Sequence, residues 1–75
     1  MEPKEIDKQI GEKIAINRKL KNKSRGWLAE KVSRSYQQVQ NYESGKHRVA
    51  ASCLLIMARA LKTPIINFFP KDDEK

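Results

Sequence analysis

The chain has 75 residues and a net charge of +7, so it holds one small domain with a modest core. Residues 13–62 contain twelve Lys/Arg and only two acids, and such a basic stretch suits a polyanionic partner. One cysteine and one histidine exclude an internal disulfide and a Cys- or His-based metal site, and the lack of an export signal or an apolar membrane span predicts a cytoplasmic protein.

The first predicted helix carries a stripe of isoleucines. Ile6, Ile10 and Ile14 recur four residues apart, which places them on one helical face. Arg18 continues that stripe, and a guanidinium facing the core is costly unless an acid meets it. We expect the helix to begin near Glu5 or Asp7, after a flexible N-terminus of residues 1–5.

Two serines predict the next two helices. Ser24 is a good N-cap for a helix that turns Leu28, Ala29 and Val32 inward. After a turn at residues 33–34, Ser35 caps a third helix through about Glu43. Gly45 follows as the left-handed terminator that commonly ends a helix.

A fourth helix and a short fifth helix complete the predicted domain, residues 6–70. Ser52 is the expected N-cap of the fourth, whose core face is Leu54, Met57, Ala58 and Leu61. Thr63-Pro64 opens the fifth helix, Pro70 stops it, and residues 71–75 are predicted to be a disordered tail. Ile65, Ile66, Phe68 and Phe69 either fold back onto the first helix or contact a second copy.

The third predicted helix is rich in amide side chains. Because Val39 and Tyr42 face inward, the outward side is expected to carry Tyr36, Gln37, Gln40 and Asn41, with Gln38 nearby. A short amide-rich helix on a basic domain is typical of a helix that hydrogen-bonds base edges in the DNA major groove. The alternative is an ordinary solvated polar face.

These residues resemble the Cro/repressor-type helix-turn-helix family, also called the xenobiotic response element family. The resemblance covers about residues 10–69 and is carried by Ile10-Gly11, Ile14, Arg18, Ser24, Leu28-Ala29-Glu30-Lys31, Ser35, Val39, Glu43, Gly45, Leu54, Met57-Ala58 and Leu61. It implies an all-α, five-helix, lambda-repressor-like domain of a single-domain bacterial or phage regulator. Helices 2 and 3 form the helix-turn-helix, and helix 3 enters the major groove.

The resemblance also implies roles for individual residues. Helix 3 would read bases with Tyr36, Gln37, Gln38, Gln40 and Asn41. Arg18 and Glu43 would form a structural ion pair that clamps helix 1 to helix 3. Phosphate contacts would come from Ser24, Arg25, Arg34, Ser35, Lys46, His47 and Arg48. The alternative for the charged residues among them is ordinary solubilising charge.

Several positions depart from the family pattern, among them Ser33 and Arg34. Ser33 replaces the usual turn glycine, which predicts strain if that position needs a positive φ. Arg34 replaces a small apolar residue that normally plugs the turn into the core. Neither change removes a DNA-facing group.

The expected function is therefore that of a sequence-specific transcriptional regulator, a repressor that binds double-stranded DNA. A homodimer, formed through helices 4 and 5, would bind a palindromic operator. The alternatives are an antitoxin of the same fold whose main partner is a toxin, and a non-specific chromatin-like protein. An enzyme is not expected, because no nucleophile–base set or phosphate-binding glycine loop is present, and no cofactor, metal or small-molecule ligand is expected.

Overall fold

A computed structural model describes residues 1–71, which form four α-helices and one short 3-10 helix. The α-helices are α1 (Pro3–Leu20), α2 (Arg25–Val32), α3 (Tyr36–Ser44) and α4 (Ala51–Ala60), and the 3-10 helix is Ile65–Phe68. No strand occurs among residues 1–71, which confirms the all-α class. The predicted fifth α-helix is a 3-10 helix instead. Of the predicted tail, residues 72–75 lie outside the described residues.

The first helix begins earlier than the predicted Glu5 or Asp7. Pro3 occupies its first position, where the missing N–H costs nothing. The backbone N–H of Glu2 donates to the Glu5 carboxylate at 3.2 Å, and this bond stabilises the first turn. Residues 3–5 of the segment predicted to be flexible are thus helical.

Serine hydroxyls cap α2 and α3, as the sequence predicts. The Ser24 hydroxyl accepts a hydrogen bond from the Trp27 N–H at 3.0 Å, and the Ser35 hydroxyl accepts one from the Gln38 N–H at 3.0 Å. Ser33 adopts the left-handed conformation with φ 55°, so the turn does place a non-glycine residue at a strained position. Gly45 ends α3 at φ 82°.

The start of α4 differs from the prediction. Its N-cap is Ala50 without a side-chain hydrogen bond, and Ser52 lies inside the first turn. Cys53 and Leu54 are both buried in that turn, so packing rather than capping sets the boundary.

The segment between Pro64 and Pro70 is too short for a regular α-helix, and it forms a 3-10 helix instead. Asn67 N–H donates to the Pro64 carbonyl at 2.9 Å, an i to i+3 bond. The Thr63 hydroxyl donates to the Leu61 carbonyl at 3.0 Å and does not cap this helix. The 3-10 helix packs against α1 and α4 and buries Phe68 completely, whereas Ile66 stays 71% exposed.

The core lies where α1, α2, α3 and α4 meet. Its largest fully buried side chains are Ile14, Leu28, Val39, Met57, Leu61 and Phe68. The closest helix contact is at Gly11, where a Cβ atom would overlap the Tyr42 carbonyl oxygen and lie 2.8 Å from that of Glu43. This contact presses α1 against the C-terminal half of α3. None of the helices within residues 1–71 has the length and apolar character needed to cross a membrane.

Candidate nucleic-acid interface

One face of α3 is open to solvent. Tyr36 is 53% exposed, and Gln37 and Gln40 are also exposed, whereas Val39 and Tyr42 pack into the core. The helix is therefore fixed by its inner face while its outer face presents two amides and a phenol. These groups can donate and accept hydrogen bonds on a base edge.

Asn41 is not on this outer face, contrary to the sequence-based expectation. Its exposure is 9%, and its side-chain carbonyl oxygen accepts a hydrogen bond from Gln37 Nε2 at 3.2 Å. The loop after α3 folds over it, because the Asn41 backbone carbonyl accepts from the N–H groups of Lys46 and His47 at 3.0 and 3.2 Å. Asn41 therefore holds the Gln37 side chain in place through this hydrogen bond, while its own side chain is buried.

Gln38 is partly buried and linked to the same loop. Its Oε1 lies 3.0 Å from His47 Nδ1. The outer face of α3 and the loop that follows it therefore form one hydrogen-bonded surface.

Arg25, a predicted phosphate contact, bonds a carboxylate within the protein. Its Nε donates to Glu43 Oε1 at 2.8 Å, and its side chain is 32% exposed. The hydrogen bonds to Glu43 and then to Tyr36 raise the pKa of Arg25 above its ordinary value. Arg25 ties the N-terminus of α2 to α3, and only part of its guanidinium faces solvent.

Glu43 is shared by two arginines. Arg18 donates to it from Nε at 2.7 Å and from Nη2 at 3.2 Å, and its Nη1 donates to the Lys23 carbonyl at 2.7 Å. Burial alone raises the pKa of Glu43, but the hydrogen bonds from Arg18 and Arg25 outweigh it and hold the pKa below its ordinary value. The cluster joins α1, α2 and α3 and thereby ties the three helices together.

The two capping serines lie at helix N-termini. Both are exposed, and each oxygen accepts a backbone N–H, which leaves the O–H of Ser24 and of Ser35 able to donate to an anion.

The predicted basic contacts in the turn and the loop are all exposed. Arg34 Nη1 bonds only the neighbouring Ser33 carbonyl, at 3.3 Å, and Lys46 makes no side-chain hydrogen bond within residues 1–71. Arg48 Nε lies 3.1 Å from Asp7 Oδ2, an exposed pair that a phosphate can replace at little cost.

Sequence reasoning missed a second basic cluster, around Trp27 of α2. The ammonium groups of Lys23 and Lys31 lie 4.9 and 5.2 Å from the centre of the Trp27 ring, in cation–π contact. The spacing of four residues on either side of Trp27 was the available signal.

Among residues 1–71 no three metal-ligating side chains cluster. Cys53 is a buried thiol, and that burial raises its pKa.

No protein-family model matches the chain. Among curated proteins, it is 36% identical to a transcriptional regulator in the ATPase CF(0) region of Rhodospirillum rubrum, over 85% of this chain and 59% of that protein. It is 37% identical to an HTH-type transcriptional regulator of Sinorhizobium fredii, over 89% of this chain and 47% of that protein. It is 41% identical to an HTH-type transcriptional regulator of Rickettsia prowazekii, over 85% of this chain and 49% of that protein. The chain thus spans about half the length of the curated relatives it matches.

Two solved structures share the fold. The DNA-binding domain of BldD superposes with a TM-score of 0.80 at 25% identity, over 92% of this chain and all of that one. The restriction-modification controller protein C.AhdI from Aeromonas hydrophila superposes with a TM-score of 0.77 at 24% identity, over 83% of this chain and 94% of that one. The arrangement of α1 to α4 and the 3-10 helix is therefore that of known regulatory domains.

Proposed function

We propose that the chain belongs to the Cro/repressor-type helix-turn-helix family and is a sequence-specific DNA-binding transcriptional regulator. In this proposal α2 lies across the phosphate backbone and α3 enters the major groove. The observation that carries it is the exposed outer face of α3, held by a buried inner face.

Base reading is assigned to the outer face. Tyr36, Gln37 and Gln40 reach the base edges directly, with Gln38 beside them, and Asn41 contributes through Gln37. An amide can bond adenine N6 and N7 at once, and such a pair is worth roughly 1–3 kcal/mol of discrimination.

Phosphate contacts are assigned to the surrounding loops and helix ends. Ser24 and Ser35 bind through their hydroxyls and the adjacent helix N-termini, while Arg34, Lys46 and Arg48 supply charge. Arg25 contributes only with the nitrogens that do not bond Glu43. The net charge of +10 over residues 13–62 favours this arrangement.

A second copy of the chain completes the proposed regulator. Large apolar side chains remain exposed on α4 and the 3-10 helix, namely Leu55, Ile56, Ile65 and Ile66. Covering them in a two-fold dimer would present two α3 helices to half-sites about 34–36 Å apart on a palindromic operator. Such a dimer represses by occupying its operator.

The test is selection of bound duplexes from a random pool, combined with sedimentation of the free protein. We expect a palindromic consensus with half-sites about 10 base pairs apart and a dimer in solution. Equal affinity for every duplex at physiological salt would overturn sequence-specific binding and leave a non-specific binder. A reporter with the selected operator at its promoter should lose expression when the protein is present.

A further inference from the structure

His47 contacts the reading helix nine positions back along the chain. Its Nδ1 lies 3.0 Å from Gln38 Oε1, and Asn41 Nδ2 lies 3.5 Å from the same nitrogen. Asn41 in turn accepts the bond from Gln37. The two adjacent glutamines of α3 therefore each have a partner on one side of the helix, Asn41 for Gln37 and the imidazole for Gln38.

The backbone holds this imidazole in place. Gly45 turns the chain in the left-handed conformation, and the N–H groups of Lys46 and His47 then both donate to the Asn41 carbonyl. The Lys46 N–H also lies 3.3 Å from the Ser44 hydroxyl. These bonds fix the loop on the last turns of α3. The ring of His47 is therefore held close to Gln38.

The two contacts at Nδ1 make opposite demands. Gln38 Oε1 is an acceptor, so its contact requires a proton on Nδ1, whereas Asn41 Nδ2 is a donor and would require a lone pair there. The Gln38 contact is shorter by half an ångström, and 3.5 Å is too long for a strong bond. The distances therefore favour a proton on Nδ1 that is donated to Gln38 Oε1.

This bond decides which end of the Gln38 amide remains available. His47 occupies one lone pair of Oε1 and fixes the orientation of the amide, so the NH₂ group is the part of Gln38 that is fully available to another partner. A donor at that position matches a base edge that presents acceptors, such as N7 and O6 of guanine. If Gln38 were free to rotate, it would accept and donate equally well and would discriminate less.

We propose that His47 is a positioning residue that orients Gln38 as a hydrogen-bond donor toward an acceptor-bearing base. The proposal rests on the function proposed above, and it replaces the expectation that His47 grips phosphate. A phosphate contact would strengthen binding to all DNA alike, whereas an orienting contact changes which base is preferred.

The first experiment needs no DNA. Nitrogen-15 spectra of the imidazole at about pH 8.5, where a free histidine ring is neutral, identify which nitrogen carries the proton. We expect the Nδ1–H form in the wild-type protein, and a return to the Nε2–H form of free histidine in Gln38→Leu. An Nε2–H ring in the wild-type protein would overturn the orienting contact, whatever the outcome of any DNA measurement.

The second experiment compares duplex selection by the wild-type protein with three variants. His47→Asn keeps a donor near the position of Nδ1, His47→Leu removes it, and His47→Lys introduces a positive charge that can contact phosphate. We expect H47N to retain the wild-type preference, while H47L and H47K lose about five- to tenfold of discrimination at the base pair that faces Gln38.

The outcomes separate the two proposals. If the wild-type protein selects a consensus and H47L selects the same one with equal strength, the role of His47 is wrong and sequence-specific binding stands. If all three variants keep the preference of the wild-type protein and H47K alone keeps its overall affinity, His47 is a phosphate contact. If the wild-type protein selects nothing, both proposals fail. His47 is exposed, so circular dichroism should show all three variants folded.

Discussion

The two faces of α3 are built from different chemistry. The inner face holds Val39, Tyr42 and Glu43, all buried, and locks onto α1 at Gly11 and Arg18. The outer face holds polar side chains that make few contacts within the protein. Changes on the inner face should therefore alter the free energy of unfolding, and changes on the outer face should alter binding while the fold stays intact.

The largest expected effect is on the inner face. Glu43→Gln leaves two guanidinium groups without their carboxylate, one of them on the buried Arg18, and should cost about 3–5 kcal/mol of unfolding free energy. Urea unfolding followed by circular dichroism measures it. Glu30→Gln, on the exposed side of α2, is the matched control and should change stability by less than about 0.5 kcal/mol. Equal effects at the two positions would contradict the division between faces.

The same cluster predicts a pH dependence. The pKa of Glu43 in the folded protein lies below its ordinary value of 4.5, so its contribution is fully present above pH 4.5 and is lost as pH falls through the folded pKa. Between pH 7 and strongly acidic pH, the wild-type protein should lose more unfolding free energy than Glu43→Gln. Parallel pH profiles for the two proteins would show that Glu43 is not the group responsible.

Two glycines give a matched pair for the α1–α3 contact. Gly11→Ala places a methyl group against the backbone of α3 and should destabilise the protein by about 1–3 kcal/mol. Gly26→Ala meets nothing closer than the Ser24 hydroxyl at 3.8 Å and should stabilise α2 by up to about 1 kcal/mol. Thermal unfolding of both variants measures these two changes in stability. A Gly11→Ala protein as stable as the wild type would mean that α1 and α3 are less closely packed than described.

Changes on the outer face should leave stability unaltered. Gln37→Ala should lose roughly 1–3 kcal/mol of binding to the selected duplex and little to random duplex. Lys46→Ala should weaken both alike and lower the slope of log affinity against log salt by about one. Fluorescence titrations at several salt concentrations measure both. Equal losses on specific and random duplex for the two variants would contradict the assignment of Gln37 to base contacts and of Lys46 to phosphate contacts.

The smallest effect concerns the turn between α2 and α3. Ser33 holds φ 55°, so Ser33→Gly should stabilise the protein by about 1 kcal/mol, because glycine adopts this conformation without strain. Asn22→Gly, at φ 59°, should give less, since asparagine tolerates the left-handed region better than serine. Chemical unfolding of both variants ranks them. Destabilisation by Ser33→Gly would show that the turn serine is not strained.

Local signals predicted most of α2 and α3. Ser24, Ser35 and Gly45 act at the helix ends where their chemistry is used, and the three- and four-residue spacing placed Val39 and Tyr42 inside. The start of α4 was missed because no side chain caps it and packing of Cys53 sets its position.

The site was harder to predict because non-local contacts shape it. Helical spacing alone places Asn41 near the outer face, but the following loop covers it. Arg25 stands at the start of α2, where a phosphate contact is expected, yet Glu43 reaches it from 18 positions along the chain. The error at Asn41 and the missed ion pair of Arg25 both come from a partner that a helical wheel does not contain. The phosphate contact of Arg25 stays a prediction.

The most direct measurement of base reading by α3 is a double-mutant cycle between protein and DNA. Each purine of the selected half-site is replaced by its 7-deaza analogue, which removes the N7 acceptor, and is titrated with the wild-type protein, Gln37→Ala and Gln40→Ala. We expect each variant to couple to one base pair by about 1–3 kcal/mol and to no other. Strictly additive losses at every position would mean that these glutamines do not contact the major groove.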